Sequence, residues 1–444
     1  MTYKEVLSYL DNMPVYDPKK VEEGKIVFNQ EAIKALLKGV GNPQNDIKCI
    51  HVAGTNGKGS TTEFLVHVLL KSGLKVGAYT SPFLINIREE ICINGEIISE
   101  IDFANVVSKV IESNIELNKR DIYPTAFEII TASAFLHFKE EGCDVAVIET
   151  GLGGRTDATN VIEKPLVNVI TDIGLDHIGI LGTSIERIAG EKAGIVQTFS
   201  DTIIVDQEPE VIEVFRKKAN EESGKLIIVN PLENTAILKN GYIIFTDNFL
   251  GEKIAVKLKM LGFYQVRNAS LAIGVLNYLA KNGYRISKED VLEGIEEVSR
   301  PARFEILNDE PKFIADGSHN EDGVRALVTS LKSNFPNKKI TFIVGVLADK
   351  DFNKMFDLIK PIASKVYTIK PDNMRAMDSR LLCEMLVNKG FLAKDCKSVE
   401  IAIKKALSSA TEDDIICAFG SLSYMGELRK KCSEWKERKL KIEI

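Results

Sequence analysis

Tryptophan is almost missing from this 444-residue sequence, which carries 1 Trp, and histidine is scarce at 5. Cysteine numbers 7, at Cys49, Cys92, Cys143, Cys383, Cys396, Cys417 and Cys432, an odd count with no Cys-x-x-Cys pair and no clustered His beside it. That pattern reads as reduced thiols with a cytoplasmic address, not as a disulfide framework. Long apolar runs are lacking too: none approaches the ~18 residues of a membrane span. Met1 to Tyr16 places Glu5 and Asp11 inside an amphipathic pattern where a signal segment would be apolar, so nothing marks the chain for export. Positive charge is not in excess. With 57 Lys+Arg against 63 Asp+Glu and a net charge of -6, the overall field favours neither nucleic acid nor an anionic membrane, although a local basic pocket is still allowed. Low-complexity stretches and internal repeats of ~20 to 50 residues are absent as well.

What is present is a soluble, enzyme-sized composition, 45% hydrophobic and 27% charged, long enough for about two or three domains. Short β-branched runs alternate with helical patterns: Cys49 to Ala53 then Ser60 to Ser72; Pro124 to Glu140 then Asp144 to Thr150; Leu166 to Thr171 then Ser184 to Ala193. Val145 to Ile148 and Val167 to Ile170 are nearly continuous apolar runs, which fits a parallel sheet covered on both faces, with ligands at strand C-terminal ends. A second block of strands follows Arg300-Pro301, at Phe313 to Ala315, Ile340 to Val346, Val366 to Ile369 and Ile415 to Ala418. The expected architecture is α/β: a larger parallel-sheet domain over 1–298 and a smaller Rossmann-like α/β domain over 299–444, divided where the helical pattern Lys288 to Val298 meets a proline.

The strongest motif is His51-Val-Ala-Gly54-Thr55-Asn56-Gly57-Lys58-Gly59-Ser60-Thr61, a strand running into a glycine-rich turn that opens a helix. Such a turn aims backbone N–H groups at phosphate oxygens, the helix N-terminus adds partial positive charge and Lys58 a full one. The spacing departs from the common Gly-x-x-x-x-Gly-Lys-[Ser/Thr] loop, since Val52 stands at the first glycine position and Gly59 at the hydroxyl position. Gly151-Leu-Gly153-Gly154 resembles the start of a dinucleotide fingerprint but has Thr156 where the third glycine belongs, so it reads as a polar loop reaching Asn160.

Ser81, Glu149 and His177 each fall just past a strand end, and a parallel sheet would bring them to one edge near Lys58 as an oxygen-rich Mg²⁺ site. Each also has a plainer reading: Ser81 in a turn before Pro82, Glu149 paired with Arg155, His177 as a core imidazole. Lys192, in Glu191-Lys192-Ala-Gly194, sits where a lysine commonly caps helix carbonyls. Asp316-Gly-Ser-His319-Asn320 and Arg300-Pro-Ala-Arg303 bring together residue types that bind ribose and phosphate, beside the expected domain junction.

Together these residues resemble the Mur ligase superfamily, and within it the folylpolyglutamate synthases, including bacterial enzymes with dihydrofolate synthase activity. The resemblance rests on His51 to Thr61, Tyr79-Thr-Ser-Pro82, Arg88 to Gly95, Thr125 to Thr131, Glu149 to Asn160, Thr171 to His177, Glu191 to Gly194, Gln265 to Ala269, Arg300 to Arg303, Asp316 to Asn320 and Gly420-Ser421, and covers most of the chain. It implies that Gly54, Thr55, Asn56, Gly57, Lys58, Gly59, Ser60 and Thr61 hold ATP phosphates, and that Ser81, Glu149 and His177 hold Mg²⁺. Asn268 would touch adenine, Asp316 ribose, and Arg303 and His319 the phosphates. Lys192 would be carbamylated into a carboxylate-like metal ligand, which requires an amine whose pKa is lowered by burial or neighbouring cations. Phe127, Arg155 and Asp157 are expected on the substrate side, Phe127 also reading as one of the apolar helix positions Phe127, Ile130, Ala134 and Phe138. Relatives often carry His where this chain has Phe83 and Tyr264, so a polar role is not expected at either position.

The implied reaction is ATP-dependent addition of L-glutamate to a folate, and to dihydropteroate, by a monomer whose ATP site is completed by both domains. Lys58, Lys192, His177 and Arg303 are its expected catalytic residues. The rival readings are another Mur-type amide ligase, a P-loop phosphotransferase or nucleotide switch, and a non-catalytic pterin- or nucleotide-binding protein.

Overall fold

The computed structural model describes residues 1–13, 30–118, 123–348 and 350–442. The chain forms two compact units; one comprises Met1–Thr235, Phe245–Lys257 and Val266–Val298, the other Ala236–Ile244, Leu258–Gln265 and Ser299–Ile444. The main division thus falls at 298/299, but two segments between 236 and 265 belong with the second unit, which departs from a simple two-block partition. Composition gives no hint of that exchange, because membership there is set by long-range contacts.

The first unit is built on strands β1 (Cys49–Ala53), β2 (Val76–Tyr79), β3 (Ile91–Ile93), β4 (Glu96–Ile97), β5 (Val145–Glu149), β6 (Val167–Ile170), β7 (Thr202–Val205) and β8 (Leu226–Val229). They lie in the order β4-β3-β2-β5-β1-β6-β7-β8. The central strands are parallel, whereas β3 pairs antiparallel with both β2 and β4 at one edge. β1, β2, β5, β6 and β7 are buried along their whole length, as their continuous apolar sequences require when both sheet faces are covered.

One apolar cluster joins helices Tyr3–Asp11, Glu31–Gly39, Glu100–Asn118 and Ala126–Glu140 to the sheet, through residues such as Leu36, Phe103, Val107, Phe135 and Ile148. A second joins Ile170 and Ile204 to helices Ile185–Lys192 and Pro209–Glu221 through Ile188, Val211 and Phe215. Helix Ala126–Glu140 starts where the sequence supplies a capping box: Glu128 N donates to Thr125 Oγ1 at 3.3 Å and Thr125 N to Glu128 Oε2 at 2.7 Å. Helix Lys58–Lys71 lies against helix Lys288–Glu297, and Gly294 permits the close approach, since a Cβ there would meet the Val68 backbone at 2.7 Å.

Strands β9 (Ile237–Lys239), β10 (Tyr242–Phe249) and β11 (Glu252–Leu258) form a separate sheet in the order β11-β10-β9. β11 alternates buried and exposed positions, a one-sided pattern unlike the continuous runs of the first sheet. The second unit carries β12 (Glu305–Asp309), β13 (Lys312–Ala315), β14 (Ile340–Val344), β15 (Ala363–Ile369), β16 (Ala393–Lys397) and β17 (Ile415–Phe419), ordered β12-β13-β17-β14-β15-β16. Only β12 runs antiparallel to its neighbour. Its core gathers Leu327, Phe342, Val344, Phe356, Leu382 and Phe419.

Candidate active site

Four parallel strands end side by side where the glycine loop begins. β1 lies between β5 and β6, with Val52 opposite Glu149 and Ala53 opposite Ile170, and β2 flanks β5 with Tyr79 opposite Ile148. Residues 54 onward, Ser81, Glu149 and the segment after Ile170 therefore emerge at one edge, where a parallel sheet presents ligands. Thr55 N and Asn56 N donate to Asp172 O at 2.8 and 3.2 Å, and Thr55 Oγ1 exchanges bonds with Gly174 O and Gly174 N at 3.1 and 3.0 Å. These bonds fasten the loop to the strand beside it.

The helix begins at Lys58, two residues before the expected Ser60, because Gly57 adopts φ +91 and turns the chain directly into it. Lys58 is thereby the first helical residue, and Nζ folds back onto Gly54 O at 3.2 Å and Thr55 O at 3.4 Å. It also stands 3.9 Å from Glu149 Oε1. Glu149 faces Lys58 in place of the plainer pairing with Arg155, which instead bonds Glu191 Oε1 at 3.3 Å and Gly190 O at 3.1 Å. A Cβ at Gly57 would come within 2.2 Å of Asn268 Oδ1, so Asn268 lies directly against the loop. Arg267, beside it, anchors its helix through Asp172 and Glu233, each at 2.7 Å.

His177 is half-buried, not a core imidazole, and adopts φ +51 as the cap of helix Ile178–Leu181, with its N–H donating to Asp176 Oδ1 at 2.8 Å. A left-handed non-glycine at a strand-end turn is a strained placement of the kind that concentrates at functional sites. Ser81 follows β2 in a bend before a cis Pro82. The donor set suits Mg²⁺: Ser81 and Glu149 offer hard oxygen atoms, and this ion keeps waters and phosphate oxygens, so a few protein ligands suffice. Among the described residues no three His, Cys, Asp or Glu side chains gather into a closed metal cage.

Lys192 does not cap its own helix. The side chain is 4% exposed, and Nζ donates to Gly54 O at 2.6 Å. Burial, reinforced by Lys58, pushes its amine down to about 7 against the opposing pull of Asp176 and Asp157. Gly154 and Gly194 let loop 151–160 close on this turn, since a Cβ at Gly154 would meet Lys192 O at 2.8 Å and one at Gly194 would meet Arg155 Cα at 2.4 Å.

Phe127 lies at the first turn of its helix, half-buried, its ring 6.0 Å from Tyr79 and pressed on Gly151, where a Cβ would come within 2.4 Å of Cζ. Ile130, Ala134 and Phe138, on the same face, are core residues. Asp157 is buried and occupied by its own loop: Leu152 N donates to Oδ2 at 2.7 Å, and Thr159 N and Oγ1 donate to Oδ1 at 2.9 and 2.6 Å.

In the second unit Asp316, 1% exposed, follows β13. Its carboxylate accepts from Tyr264 OH at 2.6 Å, from Phe304 N and Ser318 N at 2.9 Å each, and from Ser318 Oγ. Asp316 thus organises its neighbours, and Tyr264 has the polar role that the sequence comparison with His at that position did not lead us to expect. Arg303 stands between Ala302 and Phe304, both left-handed at φ 55 and 51, and its Nη1 donates to Ala302 O at 3.3 Å. His319 Nδ1 lies 2.9 Å from Gly317 O; a carbonyl only accepts, so Nδ1 carries the hydrogen.

Comparison with known proteins identifies the family of the chain. The Mur ligase middle domain matches residues 52–276, and the Mur ligase glutamate ligase domain matches residues 302–422. A Bacillus subtilis dihydrofolate synthase/folylpolyglutamate synthase is 35% identical over 417 residues, covering 90% of this chain and 94% of that protein. A folylpolyglutamate synthase of Lacticaseibacillus casei is 34% identical over 384 residues, covering 85% and 87%. Among solved structures, Mycobacterium tuberculosis folylpolyglutamate synthase complexed with ADP superposes with a TM-score of 0.87 at 28% identity, covering 97% of this chain and 98% of that one. A folylpolyglutamate synthase complex with AMPPCP and folate gives a TM-score of 0.84 at 32% identity, covering 97% and 99%. The chain therefore belongs to the Mur ligases, in the family of folylpolyglutamate and dihydrofolate synthases, ATP-dependent ligases.

Proposed function

We propose that this chain joins L-glutamate to a folate, and to dihydropteroate, at the expense of ATP. The observation that carries the reading is the glycine loop with Lys58 folded into it, Glu149 at 3.9 Å and buried Lys192 bonded to the Gly54 carbonyl. A carboxylate oxygen of the acceptor bonds to the γ-phosphorus of ATP as the bond to the β-phosphate breaks, giving an acyl phosphate and ADP. The glutamate amino nitrogen then bonds to the acyl carbon, phosphate leaves with the C–O electron pair, and the amine proton passes to solvent.

Lys58 and the positive end of its helix stabilise charge on the transferring phosphoryl group, and backbone N–H groups of residues 57–60, at the helix start, orient it for in-line displacement. Ser81, Glu149 and His177 would hold Mg²⁺, which when bound supplies charge neutralisation at the phosphates. Asn268 would meet the adenine, a role supported by its nearness to Gly57 in the loop. Arg303 and His319 would supply the second unit's phosphate contacts, and Asp316 its ribose contact. Lys192 combines with CO₂ as a neutral amine, losing a proton to become a carbamate; its burial and depressed pKa support that step. Phe127 and Asp157 would meet the pterin-bearing substrate, with Arg155 nearer the surface.

The test offers ATP, Mg²⁺ and L-glutamate with dihydropteroate or 5,10-methylenetetrahydrofolate separately, reading ADP release and product masses. ADP release strictly dependent on both L-glutamate and a folate, with products one glutamate heavier, is expected. ADP release indifferent to glutamate would favour a phosphotransferase or switch, and ligand binding without ADP release a non-catalytic binder.

A further inference from the structure

β1 leads into the glycine loop, and midway along it stands His51, fully buried, with Nε2 2.9 Å from Thr159 Oγ1. The Thr159 hydroxyl has one proton and commits it to Asp157 Oδ1 at 2.6 Å. Toward His51 that oxygen only accepts, so Nε2 carries the ring hydrogen and donates. Nδ1 is then a bare acceptor, and it is buried without a hydrogen-bond partner. An unmet buried acceptor is unfavourable, and an apolar side chain at this strand position would avoid it. What the imidazole contributes is direction, because a hydroxyl that receives a hydrogen bond from one side is held pointing at Asp157 on the other.

Asp157 in turn fixes its loop. Both carboxylate oxygens bind loop groups, while Gln30 Nε2 donates to Asp157 O and Asn160 O at 3.3 and 2.7 Å. Asn160 Nδ2 donates to Arg155 O and Gly194 O at 3.1 and 2.9 Å, tying the loop to the turn that follows Lys192. We propose that His51 and Thr159 are positioning residues for the ligase: they orient the Asp157 carboxylate, and through it loop 151–160, toward the folate-type substrate. The inference rests on the function proposed above.

Three variants test it. Thr159→Val removes both hydroxyl bonds at nearly constant volume, Thr159→Ser restores them, and His51→Phe removes the donor but keeps a planar ring. We expect Thr159→Val and His51→Phe to raise KM for 5,10-methylenetetrahydrofolate about tenfold while KM for ATP stays within about twofold, with Thr159→Ser close to the unmodified chain. A folate KM unchanged in both disruptive variants, or folate and ATP KM rising together with a lowered Tm, would overturn the proposal. Ring ¹⁵N–¹H correlation of His51 in the unmodified protein needs no variant: Nε2–H is expected, and Nδ1–H would refute the relay. An unmodified chain that releases no ADP with folate and glutamate brings down the ligase reading itself, and this inference with it; a competent one isolates the positioning claim.

Discussion

Lys192 offers the sharpest quantitative test, because its environment sets how much reactive amine exists at a given pH. Only the neutral amine combines with CO₂, and burial with Lys58 alongside brings its pKa to about 7. The neutral fraction then rises from about one-tenth at pH 6 to about nine-tenths at pH 8, whereas an ordinary lysine is less than ~1% neutral at pH 8. At fixed dissolved ¹³CO₂, the carbamate signal in ¹³C NMR should grow several-fold between pH 6 and pH 8 and be lost in Lys192→Met. Stability carries the same signature. The folded-state pKa lies below the ordinary lysine value of 10.5, so the unfolded chain binds more protons between pH 7 and 10.5, and stability rises with pH through that window. Shifts of this size are worth at most about 5 kcal/mol. The difference between wild-type and Lys192→Met denaturation midpoints should follow that slope. A carbamate signal flat with pH, or a Lys192 ε-amine titrating near 10.5, would refute the reasoning.

Other consequences concern neighbouring groups. Lys58→Ala should lower glutamate-dependent phosphate release about 10²- to 10³-fold by removing charge at the phosphoryl group, and near-normal turnover would sink the phosphate-loop assignment. Gly57→Ala places a Cβ 2.2 Å from Asn268 Oδ1 at a φ of +91, so it should weaken nucleotide binding and lower stability by about 1–3 kcal/mol; calorimetric ADP binding and urea denaturation measure the two effects. Tyr264→Phe withdraws the 2.6 Å bond to buried Asp316 and should cost about 1–3 kcal/mol in urea denaturation, an expectation that a midpoint equal to wild type would contradict.

Much of the site was legible because its signals are local. Glycines at 54 and 57, a lysine at 58 and a β-branched run ahead of them specify a strand, a tight turn and a helix N-terminus within a dozen residues. The continuous apolar strands likewise announced a covered parallel sheet. β3, β4, β7, β8, β12 and β16, and the separate sheet of β9, β10 and β11, were not anticipated; β3, β4 and β12 moreover run antiparallel, because an edge strand's direction depends on which neighbour it meets. Nor does residue type reveal that Tyr264 donates to Asp316 or that His51 donates to Thr159, bonds that span 52 and 108 positions.

The sequence by itself determined the element types, the glycine loop and the family resemblance, since each rests on residues close together or on ordered motifs. Only the tertiary structure decided which charges meet. Glu149 faces Lys58 and not Arg155, and Lys192 turns inward to Gly54 instead of capping its helix. The physical reason is strand order: placing β1 between β5 and β6 brings their ends together, and burial there makes an ordinary lysine into one that titrates near neutrality.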